Sequence, residues 1–374
     1  MPYVAWTDKS NGEFEIYVLR WDGSNWVEVG TGSASGGGIS NNHFNSVSPS
    51  LAISPDGLPY VAWADDSNAD EDFEIYLRKW DGSSWVEVGA GSASGGGITD
   101  NGNPSFDPSL AIAPDGVPYV AWVEFSQIDN IYVRKWNGSS WVEVGSGSAS
   151  GGGISNHPGG SMFYGGSYHP SLAISPEGVP YVAWYHSNHQ SDPWVDDIYV
   201  RQWNGSRWVE AGTGSASGGG VSNNAGVSES PSLAISLDGV PYVAWADISG
   251  GEAFQIFIRQ WDGSGWVEVG AGSAGAGGIS NNGGRSKVPS LAISPNGVPH
   301  IAWDDFNSAA DNIYIRQWDG SSWVEVSAGS ASGAGIHIGV GPSISPSLAI
   351  SPEGVLYVAY VSENAEIYVL FFET

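Results

Sequence analysis

The chain has 374 residues, 41% of them hydrophobic, with 19 Trp, 54 Gly and 21 Pro, so it can bury a large core but is punctuated too often for long helices. With 40 acidic residues against 12 basic ones its net charge is −28, which excludes nucleic acid and anionic membranes as partners, and no run approaches the ~20 apolar residues of a membrane span. There is no Cys, which rules out disulfides, zinc–thiolate sites and thiol nucleophiles.

Met1 runs directly into a strand motif ending at Trp6, with no leader peptide before it, as expected of a fragment of a longer protein. The full form of that motif follows at Pro49-Ser-Leu-Ala-Ile-Ser-Pro-Asp-Gly-Leu-Pro-Tyr-Val-Ala-Trp63. It reads as two short apolar strands joined by a tight turn, in which Pro55 pre-sets one dihedral and Gly57 supplies a positive φ. Further copies run Pro108–Trp122, Pro170–Trp184, Pro231–Trp245, Pro289–Trp303 and Pro346–Tyr360, a period of ~60 residues.

After each copy come Ile-Tyr-Val-Arg-x-Trp and Trp-Val-Glu-Val, so a full repeat carries four strand signals, A to D. In the second repeat the turn Asp81–Ser84 places Trp80 opposite Trp85 and Arg78 opposite Glu87. Arg134/Glu143, Arg201/Glu210, Arg259/Glu268 and Arg316/Glu325 repeat that register. The first repeat lacks strand A and the last lacks strand D. Four-stranded antiparallel units repeated this way predict an all-β fold, a β-propeller of seven blades with incomplete blades at the seam, six being the alternative. The blades fall at about 2–30, 49–89, 108–145, 170–212, 231–270, 289–327 and 346–373 of a single domain spanning 1–374. Exposed edges on the incomplete blades leave room for self-association.

Ser-Pro-Asp-Gly-x-Pro-Tyr-Val-Ala-Trp followed by Ile-Tyr-Val-Arg and Trp-Asp-Gly is similar to the WD-like repeats of TolB-type propellers. It resembles still more the propeller repeats of bacterial extracellular proteins that read Ser-Leu-Ala-x-Asp-x-x-Gly-x-Pro-His-x-x-Tyr. The resemblance covers the whole chain and implies the fold together with a secreted or cell-surface bacterial setting.

The A–B and C–D turns are uniformly short, whereas the D–A and B–C connections are long and variable, so the ligand face is expected on the latter. Gly-rich starts such as Thr31-Gly-Ser-Ala-Ser-Gly-Gly-Gly-Ile39 lack the Lys and helix of a phosphate loop and read as close blade-to-blade passage. Of the 19 Trp, all but Trp194 recur at equivalent strand ends, which is the pattern of a packing requirement. The acidic loop after strand B of the second blade offers Asp65, Asp66, Asp70 and Asp72 as oxygen ligands for Ca2+, with a solvated acidic rim as the other reading.

The fourth blade stands apart, its two long loops holding four of the seven His. Tyr164, Tyr168, His169, Tyr185, His186, His189 and Trp194 form the candidate ligand-binding set, for a sugar or polar small molecule, against a small loop core as the other reading. No Glu/Glu or Ser/His/Asp set stands out, and the strand-C Arg residues are matched to Glu. The expectation is therefore a non-catalytic binding or adhesion module, with a glycan or protein partner. The alternatives are a carbohydrate-active hydrolase or lyase and a structural repeat of a surface assembly.

Overall fold

The computed structural model describes residues 1–374 other than 11, 69–71, 157–164, 189–194, 250, 252, 276, 308–309, 334, 337–342, 363–365 and 373–374. Among the described residues every regular element is a strand, and the strands make seven antiparallel sheets, a seven-bladed β-propeller. Blade one holds β1 (Tyr3–Asp8), β2 (Glu15–Trp21) and β3 (Trp26–Glu28). Blade two holds β4 (Ser46–Ile53), β5 (Pro59–Asp65), β6 (Glu74–Trp80) and β7 (Trp85–Glu87). Blade three holds β8 (Ser105–Ile112), β9 (Pro118–Glu124), β10 (Asn130–Trp136) and β11 (Trp141–Glu143). Blade four holds β12 (Gly165–Ile174), β13 (Pro180–Asn188), β14 (Val195–Trp203) and β15 (Trp208–Glu210). Blade five holds β16 (Ser228–Ile235), β17 (Pro241–Asp247), β18 (Gln255–Trp261) and β19 (Trp266–Glu268). Blade six holds β20 (Arg285–Ile293), β21 (Pro299–Asn307), β22 (Ala310–Trp318) and β23 (Trp323–Glu325). Blade seven holds β24 (Ser343–Ile350), β25 (Leu356–Ser362) and β26 (Ile367–Phe372). The blade count and the three-stranded first and last sheets match the sequence expectation.

The chain divides into two compact units, Met1–Pro180 with Trp203–Val209 and Tyr181–Gln202 with Glu210–Thr374. Each unit is stitched blade to blade by the same devices. In the first, Trp85 Nε1 donates to Val29 O (2.8 Å) and Trp141 Nε1 to Val88 O (2.9 Å), and in the second Trp266 and Trp323 donate likewise to Ala211 O and Val269 O. In blades two to six the third-strand Trp of the pair lies on a glycine of the preceding blade. At Gly30, with φ +82°, an added Cβ would run into the Trp80 ring, so this position requires Gly on both counts. The Trp at the end of each second strand is core: Trp63, Trp122, Trp245 and Trp303 are almost wholly buried. The recurring Trp are thus packing residues, each worth about 1.5–3 kcal/mol or more of burial.

The cross-strand register Arg78↔Glu87 is as expected, and so are its copies Arg134↔Glu143, Arg259↔Glu268 and Arg316↔Glu325. The side chains nonetheless do different work. Arg78 Nη1 donates to Ile39 O of the preceding blade, while Glu87 accepts from Gly91 N, Ala93 N and Ser94 Oγ of its own following loop (3.1, 3.1 and 2.7 Å). The Arg residues staple blades and the Glu residues cap the Gly/Ser turns. Near neighbours in register, they spend their hydrogen bonds elsewhere.

Candidate functional site

The copies agree in their strands and differ where the D–A and B–C connections meet the sheet ends. A main-chain bond organises each such junction. Ser105 N donates to Phe73 O (2.6 Å), Ser167 N to Asp129 O (2.8 Å) and Ser286 N to Phe254 O (2.8 Å). The residue before the third strand of one blade therefore lies against the residue that follows the bonded Ser in the next blade's first strand. Phe73 meets Phe106, Asp129 meets Tyr168, and Phe254 meets Lys287.

In the first unit these junctions build a continuous aromatic row. Phe73 and Phe106 have ring centroids 4.9 Å apart, Phe106 and Phe125 4.9 Å, and Phe125 and Tyr168 6.3 Å edge to face. Phe125 is 41% exposed, and Tyr168 Oη donates to Asp129 Oδ2 at 2.8 Å. A row of rings that is partly buried at Phe73, Phe106 and Tyr168 and open to solvent at Phe125 can offer a platform for the apolar face of a sugar.

Beside the row the first strands carry a recurring irregularity. Ser48, Asp107, His169, Ser230, Val288 and Ser345 all have positive φ, between 49° and 55°. The register slips at this point, as between Phe106 and Ser109, so an extra residue is pushed out of the ladder. Where other copies place Ser or Val, the third and fourth blades place Asp107 and His169. His169 Nε2 lies 3.8 Å from Asp107 Oδ2, with the side chains 55% and 40% exposed. A reachable imidazole beside a carboxylate can take up and return a proton.

On the opposite face a buried polar cluster recurs. Asp65 accepts from Asn42 Nδ2 (2.9 Å), Ser46 Oγ (2.7 Å), Trp63 Nε1 (2.8 Å) and Ser67 N (3.0 Å). Asp247 and Asp305 hold the equivalent Asn, Ser and Trp of their blades. Asp65 is thereby committed to its neighbours. Asp66 accepts from Asn45 N and Nδ2 (2.6 and 2.9 Å), Asp72 N donates to Asn68 Oδ1 (3.1 Å), and Asp70 lies outside the described residues. Among the described residues no three His, Asp or Glu side chains gather as a metal would require.

Of the sequence-derived ligand set, Tyr168 and His169 come together in the first unit, on the aromatic row and the bulge. Tyr185 and His186 lie in the second unit, where His186 is buried edge-on to Tyr199 and pairs in register with Asp197. Tyr164, His189 and Trp194 fall outside the described residues. Phe73, Phe106, Phe125, Asp107 and Asp129 were not anticipated. Their signal was a column comparison: at the position of Val47 the third copy has Phe106, and at that of Ser48 it has Asp107.

No family model matches the chain, and neither does any curated protein. Solved structures of similar shape do. A polysaccharide lyase of family PL25, an ulvan lyase bound to -[GlcA(1-4)Rha3S]-, aligns with TM-score 0.58 and 11% identity over 99% of this chain and 88% of its own. A Dyadobacter fermentans protein of unknown function aligns at 0.55 and 12% over 88% and 94%. The Fusarium graminearum GH93 α-L-arabinofuranosidase, complexed with arabinobiose, aligns at 0.52 and 13% over 88% and 93%. Identity this low carries the fold only. The neighbours nevertheless tell against the expectation of a non-catalytic binding or adhesion module: the two with a named activity are enzymes that act on glycans.

Proposed function

We propose that this chain is a carbohydrate-active enzyme that cleaves a polysaccharide by elimination, with His169 as the acid–base group. The observation that carries this reading is the His169–Asp107 pair, at the positive-φ positions of neighbouring first strands beside an aromatic row whose Phe125 is exposed. Hydrolysis of a glycoside calls for two facing carboxylates. The first unit offers an imidazole instead, and an imidazole suits removal of the proton next to a uronate carboxylate at neutral pH.

In this scheme the row Phe73–Phe106–Phe125–Tyr168 seats the sugar rings. Neutral His169 takes the proton from C5 of the uronate, the released electron pair forms the C4–C5 double bond, and the C4–O glycosidic bond breaks. The imidazolium then returns the proton to the leaving oxygen, so atoms and charge balance. Asp107 orients the ring and stabilises its charged form. The lyase and the arabinofuranosidase of the same fold support a glycan substrate, and a polymeric substrate fits a secreted or cell-surface setting.

The test is incubation of the whole chain with polygalacturonate, glucuronan and linear arabinan, following ultraviolet absorbance of unsaturated ends alongside reducing ends. Unsaturated product from a uronate polymer, lost in His169→Asn, is expected. Asn is chosen because it tolerates the left-handed backbone of residue 169. Reducing ends without unsaturation, unchanged by the substitution, would overturn the elimination reading.

A further inference from the structure

Twelve basic residues serve this acidic chain, and six of them have the same structural duties from blade to blade. Arg78, Arg134, Arg259 and Arg316 each donate to a main-chain carbonyl of the preceding blade. Lys79 and Lys135 lie over Tyr60 and Tyr119. At the loop end of blade six the pattern changes. Arg285 opens β20, two residues before Lys287, so both side chains project from one face of the strand. Register puts Arg285 opposite Phe306 and Lys287 opposite Asp304, and Phe306 in turn opposite Asp311, which assembles them on the same face.

The second unit's Phe254 completes the group: Lys287 Nζ lies 4.0 Å and the Arg285 guanidinium 5.7 Å from its ring centre. Lys287 is also paired with Glu229. The Arg285 side chain is exposed, and among the described residues it has no hydrogen-bond or ion-pair partner. Phe306 is 53% exposed beside it.

None of this serves the repeat. The copies have Asn45 and Pro104 where Arg285 stands, Val47 and Phe106 for Lys287, and Ala64, Val123 and Ala246 for Asp304. We propose that the Arg285–Lys287 face of blade six is a seat for the oxyanion of an acidic sugar, a uronate carboxylate or a sulfate ester, with Phe306 against the sugar ring. This rests on the glycan-cleaving reading and gives the chemical class of sugar that the second unit would hold.

A guanidinium stacked on an aromatic ring keeps its fork of donors for a planar or tetrahedral oxyanion. In a chain of net charge −28 a cation whose donors have no hydrogen-bond partner among the described residues keeps them for an anion. Of the acids on this face, Asp311 faces Phe306 and Asp304 faces Lys287, and it is Asp304, next to the cations, that least opposes an anion. Asp304 has one oxygen buried without a hydrogen-bond partner among the described residues, and burial, with Asp311 and Asp305 nearby, raises its pKa to about 7 despite Arg285. It therefore sets little negative charge against a ligand near neutral pH. Glu229 is neutralised by Lys287.

The test is affinity electrophoresis and calorimetry of the whole chain with three probes: polygalacturonate, dextran sulfate and linear arabinan. Retardation by one acidic polymer is expected, weakened about tenfold or more in Arg285→Ala and partly restored in Arg285→Lys. Uronate-only or sulfate-only retention supports the proposal and identifies the oxyanion. Equal binding by parent and Arg285→Ala, or retention by arabinan alone, overturns the seat while leaving glycan recognition standing. Binding to none of the three, together with no cleavage, overturns both.

Discussion

His169 and Asp107 occupy the same bulge position in the first strands of adjacent blades, with Nε2 and Oδ2 3.8 Å apart. Each is held at a left-handed φ that a regular strand would not adopt, so the backbone lifts both side chains out of the ladder. Replacing His169 by Asn removes the proton carrier but keeps the backbone. It should lower kcat/KM on the cleaved glycan by about 10²–10⁴ with thermal stability within about 0.5 kcal/mol. Asp107→Asn should cost less and act on kcat with KM unchanged, as befits a residue that works through His169. Steady-state kinetics of both variants check this, and a KM effect alone at Asp107 would assign it to binding instead.

The aromatic row makes a separable prediction. Phe125 is exposed and carries rings on both sides, Phe106 at 4.9 Å and Tyr168 at 6.3 Å. Phe125→Ala should raise KM about two- to tenfold, the equivalent of about 0.5–1.5 kcal/mol of ring contact, and leave kcat nearly unchanged. Phe106→Ala, deeper in the row, should also lower stability. If Phe125→Ala binds and turns over glycan like the parent, the row is a packing feature only.

How much of this could be read from the residues depended on what repeats. The strand order, the Trp80/Trp85 register and the seven blades follow from patterns copied six times, because a packing requirement imposed at every blade leaves the same letters at each. The fate of Arg78 was not legible, since facing Glu87 across a strand does not say that a carbonyl of the preceding blade lies closer. The candidate site was half legible. Tyr168 and His169 stood out in an unusual loop, whereas Asp107, Phe106 and Phe125 sit in an ordinary-looking copy and acquire meaning only when the bulge sets Asp107 beside a His sixty-two residues later.

A departure from the repeat inside the core predicts a gain in stability. In blades two and five the acid two residues after the Trp accepts from Trp Nε1 at 2.8 Å and from a Ser Oγ at 2.7 and 2.8 Å. In blade three the longer Glu124 reaches Asn101 and Asn103 instead; Trp122 lies near enough to Glu124 to favour its charged form, yet Trp122 Nε1 and Ser105 Oγ are buried without a hydrogen bond of good geometry among the described residues. Glu124→Asp should recover those donors and stabilise by about 1 kcal/mol, since unmet buried polar groups cost about 1–3 kcal/mol each. Chemical denaturation measures it; a lower midpoint would mean that the Asn contacts of Glu124 matter more.

Buried carboxylates with raised pKa, among them Glu74, Asp197 and Asp304, set the sign of the pH dependence between about 4.5 and 7. Burial is the main cause that lifts the pKa of Glu74 from 4.5 to about 7, with the nearby charges of Asp100 and Glu124 adding to the rise and the hydroxyl of Thr99 opposing it. The folded state therefore keeps a proton that the unfolded chain releases above pH 4.5. Bound protons then number more in the native state, so stability falls as pH climbs from about 4.5 to about 7 and levels off beyond. Asp197, lifted to about 6, pulls in the same direction. The repeat itself supplies the control. At the equivalent place blade five has Gln255, whose Oε1 accepts from Ser280 Oγ at 2.8 Å and whose Nε2 donates to Phe254 O and Gly284 O, both at 2.9 Å. Glu74→Gln should therefore fit, match the parent below pH 4.5, and exceed it above pH 7 by on the order of 1 kcal/mol or more. Denaturation midpoints from pH 4 to 8 decide it: curves for parent and variant that run parallel across that range would show that Glu74 is already ionised in the fold and that its burial is fully offset by its neighbours.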